Sequence, residues 1–319
     1  MSQQQVAIVG VGFLGRGIAA CLLGHGFSVV GFDRSAASLA KADAAIAEAV
    51  DELVEHRANQ PALRTEWRAR YVGTSSLNDI ASSTFVIESV VEDATVKSSI
   101  LDQIEEVVSA ETPVASNTSA IPISTMQRVR KHPERFLGMH WAEPAHTTRF
   151  LELIRGEQTG DAAFAAAVDL AHRCGKEPSF VNRDVPGFIA NRIGYAMYRE
   201  ALHLLQIGVA DAETIDRSFR NSVGLWASLC GPFRWIDLTG GPALYAKAIA
   251  PVLPDLNVDM AALQPLTKLA EEDAQGIANG RGFYEYTPDE AAKWENLFRR
   301  HAWEIKRLID KERPLESPQ

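Results

Sequence analysis

The chain has 319 residues, 46% of them hydrophobic, and a formal charge of −9 with a pI near 5.4. That length exceeds one ordinary core, and an acidic balance without clustered Lys and Arg argues against nucleic acid as a partner. Cys21, Cys174 and Cys230 are few, odd in number and far apart. They suggest neither a disulfide framework nor a cysteine-based zinc site, and they fit a reducing cytoplasm. MSQQQ carries no basic and apolar leader, and no run approaches membrane-spanning length, so a soluble, unprocessed protein is expected.

In chain order, VAIVG is a first strand, Leu14 to Leu23 a helix closed by Gly24 and Gly26, and FSVVGFD a second strand. This is the order of a βαβ unit and predicts a parallel sheet. Ala36 to Ala58 is Ala-rich and helical, and Pro61 opens a second helical piece carrying Arg64, Arg68 and Arg70. TFVIESV, PVASNTS, RFLGMH, FLELI and PSFVN read as further strands, separated mostly by helices such as Asp93 to Ser109 and Ala162 to Cys174. After Asp184-Val185-Pro186-Gly187 the β-branched runs stop. Helical patterns cover Ile189 to Ile207 and Ala212 to Ser218 and recur from Met260. The expected organisation is a doubly wound α/β domain over residues 1–185 and a helical domain over 186–319. Only RPLESPQ at the end looks disordered.

Gly10, Gly12 and Gly15 form GxGxxG between a strand and a helix, where missing side chains let backbone approach a pyrophosphate at the helix N-terminus. Asp33 ends the second strand, about twenty residues on, where a carboxylate binds both ribose hydroxyls and repels a 2′-phosphate. NAD is therefore expected over NADP, with Arg34 weakening the preference. A tight turn without a ligand and a FAD enzyme are the alternatives.

The carboxyl ends of strands line the ligand crevice of such a sheet, which makes Glu92, Asn117, Ser119 and His140 candidates for chemistry. Glu152 lies inside the apolar run FLELI, where a carboxylate needs a partner. His140 across a strand pair is one candidate; Arg149 and Arg155 are the others. A His–Glu pair suits alcohol oxidation, with the imidazole taking the hydroxyl proton and the carboxylate orienting the ring. Ser119 is placed to hold the substrate oxygen.

Together GxGxxG with Asp33, VIESVVEDATVKSSI, SNTS, ERFLGMH with LELI, PGFIANRI and GPF-x3-DL resemble the 3-hydroxyacyl-CoA dehydrogenase superfamily over residues 5 to 286. The resemblance implies that His140 is the catalytic histidine, Glu152 its partner, Ser119 a contact to substrate and cofactor, and Asn191 the asparagine from the second domain. It also implies that Glu92 and Lys97 contact the cofactor and that the helical domain mediates a homodimer. Read alone, Asn191 is equally a helix cap.

The chain departs from the family's HFFNP-like sequence, reading His140-Trp141-Ala142-Glu143-Pro144. A carboxylate replaces an amide that donates a hydrogen bond. Glu143 then meets a cationic or polyhydroxylated substrate, with Trp141 supplying apolar or cation–π contact, or both residues simply pack. The Arg64, Arg68 and Arg70 cluster reads as a phosphate contact for a CoA thioester or as a solvated helix face. The added segment DEAAKWENLFRRHAWEIKRLIDK is similar to the lambda-crystallin and gulonate 3-dehydrogenase branch, with carnitine dehydrogenase a neighbour.

An NAD-dependent dehydrogenase of an L-3-hydroxyacyl-CoA or related 3-hydroxy acid is the leading expectation. A dehydrogenase of a small free hydroxy acid such as L-gulonate or L-carnitine is the alternative, and a non-catalytic, crystallin-like nucleotide-binding protein a third. No metal is expected: His140, Glu143 and His146 spell H-x2-E-x2-H, which lacks the helical HExxH spacing and contains Pro144.

Overall fold

The computed structural model describes residues 4–56, 60–261 and 263–315. The end of the helix expected to reach Ala58, and part of the disorder expected for 313–319, lie outside the described residues. The chain forms two compact units, one running to Asn191 with Leu315 added and the other Arg192–Pro314.

The first unit is built on eight strands: β1 (Gln5–Val9), β2 (Ser28–Phe32), β3 (Tyr71–Thr74), β4 (Phe85–Glu88), β5 (Val114–Ser116), β6 (Phe136–Trp141), β7 (Leu151–Ile154) and β8 (Ser179–Val181). Their spatial order is β3-β2-β1-β4-β5-β6-β7-β8. The first six of these strands have the dinucleotide-binding order, with its switch point between β1 and β4. Among the connecting segments are α1 (Phe13–Gly24), α2 (Ala36–His56), the short α3 (Leu63–Glu66), α4 (Ala94–Val107), α5 (Ile123–Gln127) and α6 (Asp161–Arg173). The fold is Rossmann-like, as the glycine turn and the apolar runs predict.

Two features depart from the sequence reading. The sheet is not wholly parallel, because β7 runs antiparallel to β6 while β8 returns parallel to β7. β3, the YVGT segment, was not expected as a strand. It pairs with β2 at the sheet edge and is only half-buried, so its sequence carries neither a long apolar run nor alternation.

The central strands are buried on both faces, which is why β1, β4, β6 and β7 read as continuous apolar runs. Val9, Val86, Val114 and Phe136 join Ile100, Leu101 and Ile104 of α4 in one core cluster. α4 starts where the Asp93 side chain accepts from the Thr95 and Val96 N–H groups. Against such a background three ionisable residues inside strands stand out: Glu88, His140 and Glu152.

The second unit is helical, with most of α7 (Ala190–Gln206) followed by α8 (Ala212–Ala227), α9 (Pro232–Leu238), α10 (Gly241–Ile249), α11 (Gln264–Glu271) and α12 (Pro288–Glu312). Trp226 stacks on Trp235 with ring centroids 5.3 Å apart. α12, the added C-terminal segment, opens with a reciprocal capping box between Thr287 and Glu290. Among the described residues no helix is long and apolar enough to cross a membrane.

Candidate active site

The glycine turn joins β1 to α1. Gly10 has φ of 98° and lies so close to β4 that a Cβ would sit 2.6 Å from the Ser89 carbonyl oxygen. A Cβ on Gly15 would overlap the Gly10 carbonyl oxygen, so this glycine lets helix and turn meet. Gly12 differs: a Cβ there would meet nothing within 4 Å, and as the N-cap of α1 it offers no side-chain cap. An open space above an uncapped helix N-terminus is the cradle a pyrophosphate needs, so these residues fit a dinucleotide. Asp33 follows β2 with one carboxylate oxygen on the Ser35 N–H at 2.9 Å, whereas Arg34 reaches Gln103 of α4 at 3.2 Å.

His140 and Glu152 face each other in the antiparallel register of β6 and β7. His140 Nδ1 lies 2.8 Å from Glu152 Oε2, and both side chains are buried. The other carboxylate oxygen accepts from the Ile189 and Ala190 N–H groups at 3.0 and 2.9 Å. Burial pushes the Glu152 carboxyl upward, but the bond from His140 and those from Ala190 and Ile189 outweigh it and hold it below its ordinary value. Glu152 therefore stays a carboxylate acceptor. The two arginines offered as its alternative partners bond elsewhere, Arg149 with Glu177 and Arg155 with Asp161.

A second buried network lies at the ends of β4 and β5. Glu88, which the sequence reading did not single out, is fully buried and takes Lys97 Nζ at 2.9 Å, the Val90 N–H at 2.8 Å and Ser116 Oγ at 2.5 Å. Lys97 is equally buried and also faces Glu92 at 3.3 Å. Glu92 Oε1 in turn accepts from Thr118 Oγ1 and from the Ser119 and Ala120 N–H groups. Burial acts to raise the Glu92 carboxyl, but the Thr118 hydroxyl, Lys97 and these amides keep it below its ordinary value. Asn191 Nδ2 donates to the Ser119 carbonyl oxygen at 2.8 Å. Asn117 bridges strands, donating to Ser89 Oγ and accepting from the Trp141 N–H. The structure thus links Glu92, Lys97, Ser119 and Asn191 in one hydrogen-bonded and ion-paired network, with Glu88 also bound to Lys97.

The turn after β6 sends its letters in different directions. Trp141 is 1% exposed, with the Lys176 ammonium 4.8 Å from its ring centroid. Lys176, itself buried, donates to the Ala145 and Thr148 carbonyls and fastens the turn from behind. His146 Nε2 pairs with Glu52 of α2 at 3.0 Å. Glu143 rests on α1, where a Cβ on Gly17 would sit 3.4 Å from Glu143 Oε2. Protein around the Glu143 carboxyl pushes its pKa up, opposed by His146, the Ala145 N–H and Arg16. His140, Glu143 and His146 do not converge, and no group of three or more His, Cys, Asp or Glu among the described residues is placed to hold a metal ion. Arg64 and Arg68 pair with Asp51 and Asp43 of α2, and Arg70 donates to the Leu23 and Phe27 carbonyls.

Comparison with known proteins supplies the class. The 3-hydroxyacyl-CoA dehydrogenase NAD binding domain matches residues 5–185, and the C-terminal domain of the same family matches 187–286. A 5-formyl-3-hydroxy-2-methylpyridine 4-carboxylate 5-dehydrogenase from Mesorhizobium japonicum is 32% identical, covering 96% of this chain and 98% of its own. The 3-hydroxybutyryl-CoA dehydrogenase of Bradyrhizobium diazoefficiens is 34% identical, over 89% of this chain and 95% of its own. Among solved structures, a pyridine-carboxylate 5-dehydrogenase described as an NAD+ dependent dismutase superposes with a TM-score of 0.88 at 30% identity, covering 98% of this chain and all of its own. The (S)-3-hydroxybutyryl-CoA dehydrogenase of Ralstonia eutropha gives 0.73 at 33% identity, covering 90% and 100%. This chain belongs to the 3-hydroxyacyl-CoA dehydrogenase family of NAD-dependent oxidoreductases.

Proposed function

We propose that the chain oxidises a hydroxyl group on a small free carboxylic acid, with His140 as the base. The observation that carries the base assignment is the buried bond between His140 Nδ1 and Glu152. A carboxylate accepts only, so it fixes the proton on Nδ1 and leaves Nε2 as the lone pair that takes the substrate proton. NAD, when bound, supplies the hydride acceptor. Glu152 then balances the imidazolium charge without leaving its two backbone donors, and the Glu92 turn holds Ser119 against the substrate oxygen. Asp33 receives the adenosine ribose.

A free acid is favoured over a CoA thioester on three grounds. The Arg64, Arg68 and Arg70 cluster is engaged within the chain rather than collected for a phosphate. Glu143 replaces the family's amide near the catalytic strand. The relative matched nearly end to end acts on a pyridine carboxylate by its name, whereas the hydroxybutyryl-CoA enzyme leaves more of this chain uncovered. Trp141 is assigned to packing because its ring is buried.

The decisive experiment follows reduction of NAD by L-gulonate, L-carnitine, 3-hydroxybutyryl-CoA and 5-formyl-3-hydroxy-2-methylpyridine 4-carboxylate, the last as the hydrated aldehyde, whose gem-diol hydroxyl loses the proton while its C–H supplies the hydride and water the added oxygen. Turnover with one of the free acids at a kcat/KM well above that for 3-hydroxybutyryl-CoA is expected. A preference for 3-hydroxybutyryl-CoA overturns the free-acid reading. The helical unit exposes Leu225, Phe233 and Met260, which supports pairing with a second copy. Sedimentation velocity should show a dimer mass, and a monomer at all concentrations would remove that assignment.

A further inference from the structure

Phe188 is one of two non-glycine residues with positive φ among those described, at 50°, directly after Gly187 at 76°. A bulky side chain in the left-handed region is strained, and such strain persists only where the surroundings over-determine it. The surroundings here are partly the apolar core cluster to which Phe188 belongs and partly the His140–Glu152 pair. The double left-handed turn carries the chain round so that the next two N–H groups, Ile189 and Ala190, both reach Glu152 Oε1. It also drives the Phe188 ring inward, 1% exposed, to 5.8 Å from the imidazole with the planes tilted by 55°. On the His140 ring Phe150 packs as well, edge-on at 5.7 Å.

A single hydrogen bond at Nδ1 fixes one atom of the imidazole, not its plane; holding Nε2 on a substrate hydroxyl requires contacts on the ring itself. We infer that Phe188 is a positioning residue whose strained backbone and buried ring set the plane of His140. The inference rests on the proposed role of His140 as base, and it explains why a strained aromatic occupies a position where glycine would fit the backbone without penalty.

The test is a double-mutant cycle on the fastest substrate of the panel above, using Phe188→Gly, which keeps the left-handed backbone but removes the ring, together with His140→Asn. Phe188→Gly should lower kcat about tenfold or more while NADH binding stays at the wild-type value, and it should leave the residual rate of His140→Asn unchanged. Phe188→Leu, which retains bulk and folds more safely, should lose less than the glycine variant. A wild-type kcat for Phe188→Gly, or an equal fold-loss in both backgrounds, overturns the inference and leaves the base assignment standing. Wild-type turnover by His140→Asn overturns both.

Discussion

His140→Asn should lower kcat by about 10²–10⁴-fold, the range that a positioned general base contributes, while NADH affinity is retained. Asparagine keeps an amide that can still donate to Glu152, so the carboxylate is not stranded in the core, but no group remains that can take the hydroxyl proton. Glu152→Gln is the complementary variant. Its carbonyl can keep the Ile189 and Ala190 N–H groups while its NH2 faces Nδ1, which turns the imidazole to the wrong tautomer. A comparable loss is expected with a smaller effect on stability than truncation to alanine. Initial rates at saturating NAD, with unfolding followed by circular dichroism, separate the two effects. Turnover by His140→Asn within a few-fold of wild type would sink the assignment.

The second large effect is on stability. Lys97→Met leaves Glu88 buried at the end of β4 without its cation, and removing one partner of a buried pair costs about 3–5 kcal/mol. The double variant Lys97→Met, Glu88→Met should recover only part of this. The Val90 N–H and Ser116 hydroxyl would lose their acceptor, at about 1–3 kcal/mol for each buried group left unpaired. Urea midpoints for the wild type, both single variants and the double variant check this prediction. A Lys97→Met midpoint equal to wild type would show that the pair stabilises nothing. NADH binding should weaken alongside stability, because Glu92 holds the Ser119 turn partly through Lys97.

The sequence revealed the parts of the site where burial and charge conflict. Glu152 inside FLELI demanded a partner, and His140 was one of three residues within reach; the arginines turned out to be engaged by Glu177 and Asp161. Glu88 inside TFVIESV carried the same signal and was passed over, although an apolar run on each side of a carboxylate implies a buried cation nearby. The direction of β7 was not legible, because it depends on the path of the chain through residues 142–150 rather than on the composition of either strand. Neither was β3, four residues long and half-exposed. The left-handed Phe188 leaves only a faint trace in sequence, the glycine before it, since φ at an aromatic residue is imposed by tertiary contacts. The partner of His146 was not legible either, because Glu52 is distant along the chain and has no local marker.

The pairing of His140 with Glu152 is written into the ladder between β6 and β7, where Gly138 through Trp141 face Ile154 through Leu151. The loop that joins those strands closes the ladder, and of its residues Phe150 also packs against the imidazole. Residues 142–149 can therefore drift, lengthen or exchange chemistry while the His140–Glu152 pair keeps the geometry set by the ladder. A scaffold arranged in this way can recruit new substrates through changes confined to one hairpin tip, and the Glu143 and His146 of this chain are the kind of change such freedom permits.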